Sequence, residues 1–231
     1  MGYFSDGLLN ALNLLADCHP ATISAIEVTL ISTAWSIGIA MLAGLPAGFV
    51  LGYCNFPGKR LLRLLSDTLL AFPTVLIGLI VYVLITYRGP FGQYGLLFTM
   101  KGMIIGQAML AFPIVVSWTA QAVENMDPRC RQTLLTLGAN ATQVALLTIW
   151  ETRFEIAMVC ATAFGRVVTE VGVAMMLGGN ILNSTRTMTT AISLETSKGE
   201  FAQGIALGMV LLSIAFMVNG ILALLRHWGR K

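Results

Sequence analysis

The chain has 231 residues, of which 56% are hydrophobic and 11% charged, and a mean hydropathy of +0.79. Soluble domains carry roughly 25% charged residues, so a soluble core is excluded and lipid must be the second solvent. The net charge of +3 is small and dispersed, which excludes a nucleic-acid partner as well.

From the N-terminus, Met1 to Asn13 holds no Lys or Arg and so lacks the positive start of a cleavable signal peptide. Phe4, Leu8, Leu9, Leu12 and Leu15 recur at helical spacing with Asp6 and Asn10 between them. That pattern predicts an amphipathic helix over residues 1–20, lying on the membrane surface. Asp17-Cys-His19-Pro20 ends it as a solvated turn, since two potential ligands make a weak metal site. Residues 21–231 then form one transmembrane domain. Its expected spans are Val28 to Tyr53, Leu65 to Thr86, Gly102 to Ala122, Glu155 to Leu177 and Ala202 to Leu225, each near the roughly 20 residues a crossing needs. Glycines within them allow the close helix packing that replaces hydrophobic drive in lipid.

The second and third spans share a motif, Leu70-Ala-Phe-Pro73 and Leu110-Ala-Phe-Pro113, set 40 residues apart. A proline inside a span frees a carbonyl and kinks the helix. Two matched kinks suit helices that bow around a cavity and move, or that pack statically.

A polar stretch from Asp127 to Arg153 follows. Pro128 suits a first helical turn, Gly138 can close that helix in a left-handed conformation, and a second short helix can start at Thr142. A helix–glycine–helix elbow suits docking into a groove on a partner, although the same shape serves as an ordinary surface loop.

The fourth span carries Arg166 and Glu170, spaced to pair on one helical face. Intramembrane charges mark a bundle interior or a water-filled path, and the alternative is a pair that only fixes packing. Beyond it, Gly178 to Ile192 brings glycines, hydroxyls, Asn180 and Arg186. These could offer hydrogen-bond donors to an oxyanion, or form a plain re-entrant loop.

Nine basic residues (Lys59, Arg60, Arg63, Arg129, Arg131, Arg153, Arg226, Arg230, Lys231) fall on one side and four (Arg88, Lys101, Arg186, Lys198) on the other. The positive-inside rule places the N-terminus outside, with the elbow and C-terminus in the cytoplasm. The four cysteines lie far apart with no C-x-x-C pair, so neither a disulfide framework nor a zinc site is expected. There is no phosphate-binding loop and no visible catalytic constellation. The chain is therefore expected to be no enzyme and to bind no cofactor.

Around Thr136-Leu-Gly138-Ala-Asn140 the elbow resembles the conserved cytoplasmic loop of ABC importer permeases. Gln132, Thr133 and Leu134 stand at that family's Glu-Ala-Ala positions, and Trp150-Glu151 stands where Leu-Pro is usual. Phe164 to Ile181 resembles the corresponding span of molybdate and tungstate permeases, and Thr185 to Phe201 is most like the tungstate branch. The resemblance covers nearly the whole chain after residue 20. It implies an all-α, type I ABC importer transmembrane domain of about five spans in a bacterial or archaeal plasma membrane. The implied assembly is a homodimer with two cytoplasmic ATPase subunits, which hold ATP and Mg, and an external tungstate-binding protein.

The coupling loop at residues 127–153 would meet the ATPase through Arg131, Gln132, Thr133, Leu134, Leu137, Gly138, Ala139 and Asn140. Pro73, Pro113, Arg166, Glu170, Asn180 and Arg186 are the candidates for the translocation path or gate. Molybdate, vanadate or sulfate remain alternative cargoes. An ion-coupled secondary transporter is a rival that would need internal repeats, and a membrane enzyme or scaffold would leave the elbow without a purpose.

Overall fold

The computed structural model describes residues 20–228, and within them every regular element is helical. The surface helix expected before Pro20 lies outside the described residues. The helices are α1 (Pro20–Tyr53), α2 (Lys59–Leu70), α3 (Thr74–Ile85), α4 (Met100–Glu124), α5 (Pro128–Thr136), α6 (Ala141–Glu151), α7 (Arg153–Val168), α8 (Gly172–Gly178), α9 (Met188–Lys198) and α10 (Phe201–Trp228).

The frame is the pair α1 and α4. Helix α1 is described from Pro20 and runs for 34 residues, so it already extends before the expected Val28. Helix α4 opens on Thr99, whose hydroxyl accepts the Gly102 amide at 3.2 Å. Gly44, Gly48 and Gly52 form a stripe along α1, one turn apart. A Cβ on Gly48 would lie 2.6 Å from the Val116 carbonyl oxygen, and one on Gly52 would lie 2.7 Å from that of Ala120. The two backbones are therefore in contact, and only hydrogen fits between them. Ile37 and Ala40 of α1, Ala111, Ile114 and Val115 of α4, and Val159, Ala163 and Val167 of α7 close a buried apolar layer beside the stripe.

Length and composition make α1, α4 and Phe201–Val218 of α10 able to cross a membrane, and two bent helix pairs raise the number of candidate spans to five. The span expected over Leu65 to Thr86 is not one helix: α2 and α3 meet at a 100° bend. Pro73 stands there in extended conformation as the N-cap of α3, and a proline disfavours helical backbone at the residue before it. Pro113 carries the same motif yet lies buried inside an unbroken α4. The two prolines are therefore not matched kinks. The span expected over Glu155 to Leu177 is also broken, by 63° between α7 and α8.

Helix α9 occupies part of the stretch expected to be a polar loop. Its N-cap Thr187 and Thr190 form a capping box, and Met188, Thr189, Thr190, Ala191 and Glu195 are buried. The Met188 amide donates to the Thr29 hydroxyl of α1 at 2.8 Å, so the threonines that suggested a loop are the helix start and its anchor.

The close approach makes a testable distinction between glycines. Gly48→Ala should lower the melting temperature of the detergent-solubilised protein through overpacking of about 1–3 kcal/mol, and Gly48→Leu should sharply reduce the folded yield. Gly38→Ala should change neither, because nothing lies within 4 Å of a Cβ there.

Candidate functional site

The elbow is built from local signals. Asp127 caps α5, its carboxylate accepting the Arg129 amide at 2.9 Å, with Pro128 in the first turn. The helix ends at Leu137, and Gly138 takes φ +83°, a left-handed conformation that L side chains resist. The Ala139 amide then returns to the Leu134 carbonyl at 3.0 Å, closing the turn. Asn140 starts α6 through a reciprocal capping box with Gln143, both hydrogen bonds measuring 2.9 Å.

The structure therefore gathers Arg131, Gln132, Thr133, Leu134, Leu137, Gly138, Ala139 and Asn140 on one helix and the turn after it. No atom stands within 4 Å of a Cβ on Gly138, so its requirement is conformational, not steric. Leu135 and Leu137 are exposed, as are Leu146 and Trp150 on α6. At the far end Arg153 lies over the rings of Trp150 and Phe154, 4.7 and 4.5 Å from their centroids.

The pair expected in the fourth span forms, but not within one helix. Arg166 Nη1 meets Glu170 Oε2 at 3.1 Å, while α7 ends at Val168 and leaves Glu170 in the break. The other carboxylate oxygen accepts the Gly172 amide at 2.9 Å and the Val173 amide at 3.3 Å. It thus satisfies the donors exposed where α8 starts. The Glu170 carbonyl takes a hydrogen bond from the Thr189 hydroxyl at 2.9 Å, tying in α9. Glu170 is 4% exposed and Arg166 44%, so the glutamate is the structural member and the arginine the accessible one.

Beyond α8, Asn180 adopts φ +52° and Arg186 Nη2 donates to its carbonyl at 3.4 Å. Asn180 Oδ1 and Arg186 Nε are sequestered without a hydrogen-bond partner. Thr185 bridges the loop, donating to the Gly178 carbonyl and accepting the Ile181 amide. Asn180 and Arg186 are thus brought together, whereas Arg166 and Glu170 form a separate pair at the helix break.

The two Ala-Phe-Pro motifs also meet. Phe72, Phe112 and Pro113, with Leu69, Ile77 and Met109, line an apolar cavity of about 280 Å³ at the α2–α3 bend. Sequence reasoning named the prolines and missed the phenylalanines, although each precedes its proline in the repeated motif. It also missed Asp127 and Gln143, which the N-cap and capping-box patterns could have found.

Residues 44–230 match the model of the binding-protein-dependent transport system inner membrane component family. The chain is 49% identical to the tungstate uptake system permease protein TupB of Campylobacter jejuni, over 95% of this chain and 92% of that one. It is 36% identical to the TupB protein of Peptoclostridium acidaminophilum, over 96% of this chain and 97% of that one.

The chain belongs to this transport-system family. Its fold also superimposes on a chain of the MetNI methionine ABC transporter in inward-facing conformations, with a TM-score of 0.73, covering 90% of this chain and 96% of that one at 14% identity. The fold is thus that of an ABC importer permease, a multi-pass inner-membrane subunit. Such a permease works with a substrate-binding protein and an ATPase that is a separate subunit. The all-α expectation and the family resemblance both hold.

Glu170 and Arg166 should respond differently to truncation. Glu170→Ala removes a buried cap and a buried ion-pair partner, and should lower the melting temperature of the purified permease more than Arg166→Ala does. Thermal denaturation of the two variants side by side gives the ordering, and an equal or reversed order would contradict the assignment of Glu170 as the structural member.

Proposed function

We propose that this chain is the permease of a tungstate importer, working as a homodimer with two cytoplasmic ATPase subunits and an external tungstate-binding protein. The observation that carries the reading is the 49% identity to a tungstate uptake permease over 95% of the chain. Helix α5 seats in a groove of the ATPase through Arg131, Gln132, Thr133, Leu134 and Leu137. Gly138, Ala139 and Asn140 then turn the chain into α6 and back toward the membrane. The exposed leucines of the elbow fit this role, being apolar groups that a partner would cover.

The orientation is N-terminus outside and C-terminus cytoplasmic, from the excess of basic residues on the elbow side. Closure of the ATPase pair on ATP draws the two elbows together, and the bundles turn as rigid bodies from inward-open to outward-open. Pro113, which lines the apolar cavity, and Pro73, at the α2–α3 bend, act at the gate. Arg166 offers its half-exposed guanidinium to the passing anion while Glu170 holds it in place. Asn180 and Arg186 line the outer approach. The chain holds no cofactor of its own, and ATP with Mg belongs to the partner subunits. The binding protein selects the anion, so the permease needs only weak recognition, and molybdate is the cargo the same arrangement would also carry.

The test is tungstate uptake by vesicles containing the reconstituted complex. Gly138→Asp should abolish uptake while the permease still folds, because a charged side chain at φ +83° disfavours the turn. Normal uptake by that variant would sink the elbow assignment. Arg166→Ala should reduce uptake while leaving the assembled complex intact, and loss of assembly instead would assign the arginine to packing. The purified permease alone should hydrolyse no ATP.

A further inference from the structure

Helix α2 is built inside out. Its leucines point away from the protein, from 40% exposed at Leu70 to 63% at Leu64, and none of its residues is buried. What holds it to α4 is its polar face. Lys59 Nζ meets Glu124 Oε1 at 3.1 Å, and Arg63 Nη2 meets Glu124 Oε2 at 3.9 Å. One helical turn on, Arg63 Nε faces Asp67 at 3.5 Å and Arg63 Nη1 donates to the Ser117 carbonyl at 2.7 Å. The Ser117 hydroxyl donates in turn to Asp67. The result is a polar rail along two turns of each helix.

The ends of this rail are what matter. Glu124 is the last residue of α4, and Asn125, Met126 and Asp127 alone separate it from α5. At the other end, α2 runs into the Pro73 bend and the apolar cavity lined by Leu69, Phe72 and Pro113. A displacement of α5 reaches Glu124 through three residues. The ion pairs of Lys59 and Arg63 pass it to α2, whose leucines are largely exposed. Lys59 is further held by the Gly52 carbonyl at 3.0 Å, so the rail starts from the glycine stripe that fixes α1 against α4.

We infer that Lys59, Arg63, Asp67, Ser117 and Glu124 are positioning residues that transmit movement of the elbow to the α2–α3 bend. The inference rests on the importer reading and adds to it a route by which the elbow reaches the gate. It is a two-helix linkage whose tension is carried by ion pairs, and neither end of it touches the cargo or the ATP.

The experiment uses the complete complex in vesicles, with the binding protein loaded with tungstate, and reads ATP hydrolysed and tungstate taken up together. Glu124→Gln should leave the complex assembled and its unstimulated hydrolysis near that of the wild type. Uptake per ATP should fall about five- to tenfold, the range of a coupling perturbation. Glu124→Asp, which keeps the charge that Lys59 and Arg63 share, should retain most of the coupling that Glu124→Gln loses. Unchanged uptake per ATP in Glu124→Gln would overturn the inference. So would an equal loss of coupling in Glu124→Asp and Glu124→Gln, because that outcome assigns the position to packing and not to its charge. If the wild-type complex itself couples no hydrolysis to uptake, the importer reading fails and the inference fails with it. Coupling in the wild type with an unaffected Glu124→Gln removes the inference alone.

Discussion

The contact of α1 with α4 is the constraint on which the rest depends. In lipid there is no hydrophobic gain from bringing two apolar helices together, so close packing must come from shape and from the dispersion contacts that shape permits. Gly44, Gly48 and Gly52 supply the shape, letting α1 come so near that the carbonyls of Val116 and Ala120 occupy the space of a side chain. Once that pair is set, α7 completes a layer against it and α9 hangs from Thr29. The elbow then leaves from the end of α4, the most buried of the three single-helix candidate spans among the described residues. A moving part attached to a rigid strut can pass on a displacement without dissipating it in a soft core.

The broken spans are the second theme. Each break exposes backbone groups that a lipid-facing segment must satisfy internally. At the α7–α8 break a buried carboxylate accepts two amides, and a guanidinium neutralises it. The charges are thus part of the architecture, with Glu170 buried in the break and Arg166 accessible beside it. At the α2–α3 break the device is different. Pro73 has no N–H to satisfy, and the phenylalanines of both Ala-Phe-Pro motifs gather beside the bend.

How much of this was legible in the sequence follows from the range of each signal. The elbow could be read almost to the residue, because Pro128, Gly138 and the polar residues at helix starts act on their own neighbours. The apolar spans could be counted for the same reason that hydropathy works: a bilayer core tolerates few alternatives. A kink at Pro73 could be expected from the proline, but the α7–α8 break could not be seen, because a window of apolar residues averages across a bend. The same motif gave opposite results: Pro73 caps the start of a new helix, whereas Pro113 lies buried inside an unbroken α4. Helix α9 was hidden by Thr187, Thr189 and Thr190, which look like a loop until their hydroxyls are seen capping a helix and binding its neighbours. The polar face of α2 has an i, i+4 pair at Arg63 and Asp67, but Glu124 is distant in sequence and nothing local announces it.

In the proposed function, movement at the elbow is coupled to passage of a tungstate-type oxyanion. The most direct measurement is ATP hydrolysis by the reconstituted permease–ATPase complex as its binding protein is supplied loaded with tungstate, molybdate or sulfate. The account predicts stimulation by the tungstate-loaded form, at the lowest anion concentration of the three. Stimulation by none of them would contradict it.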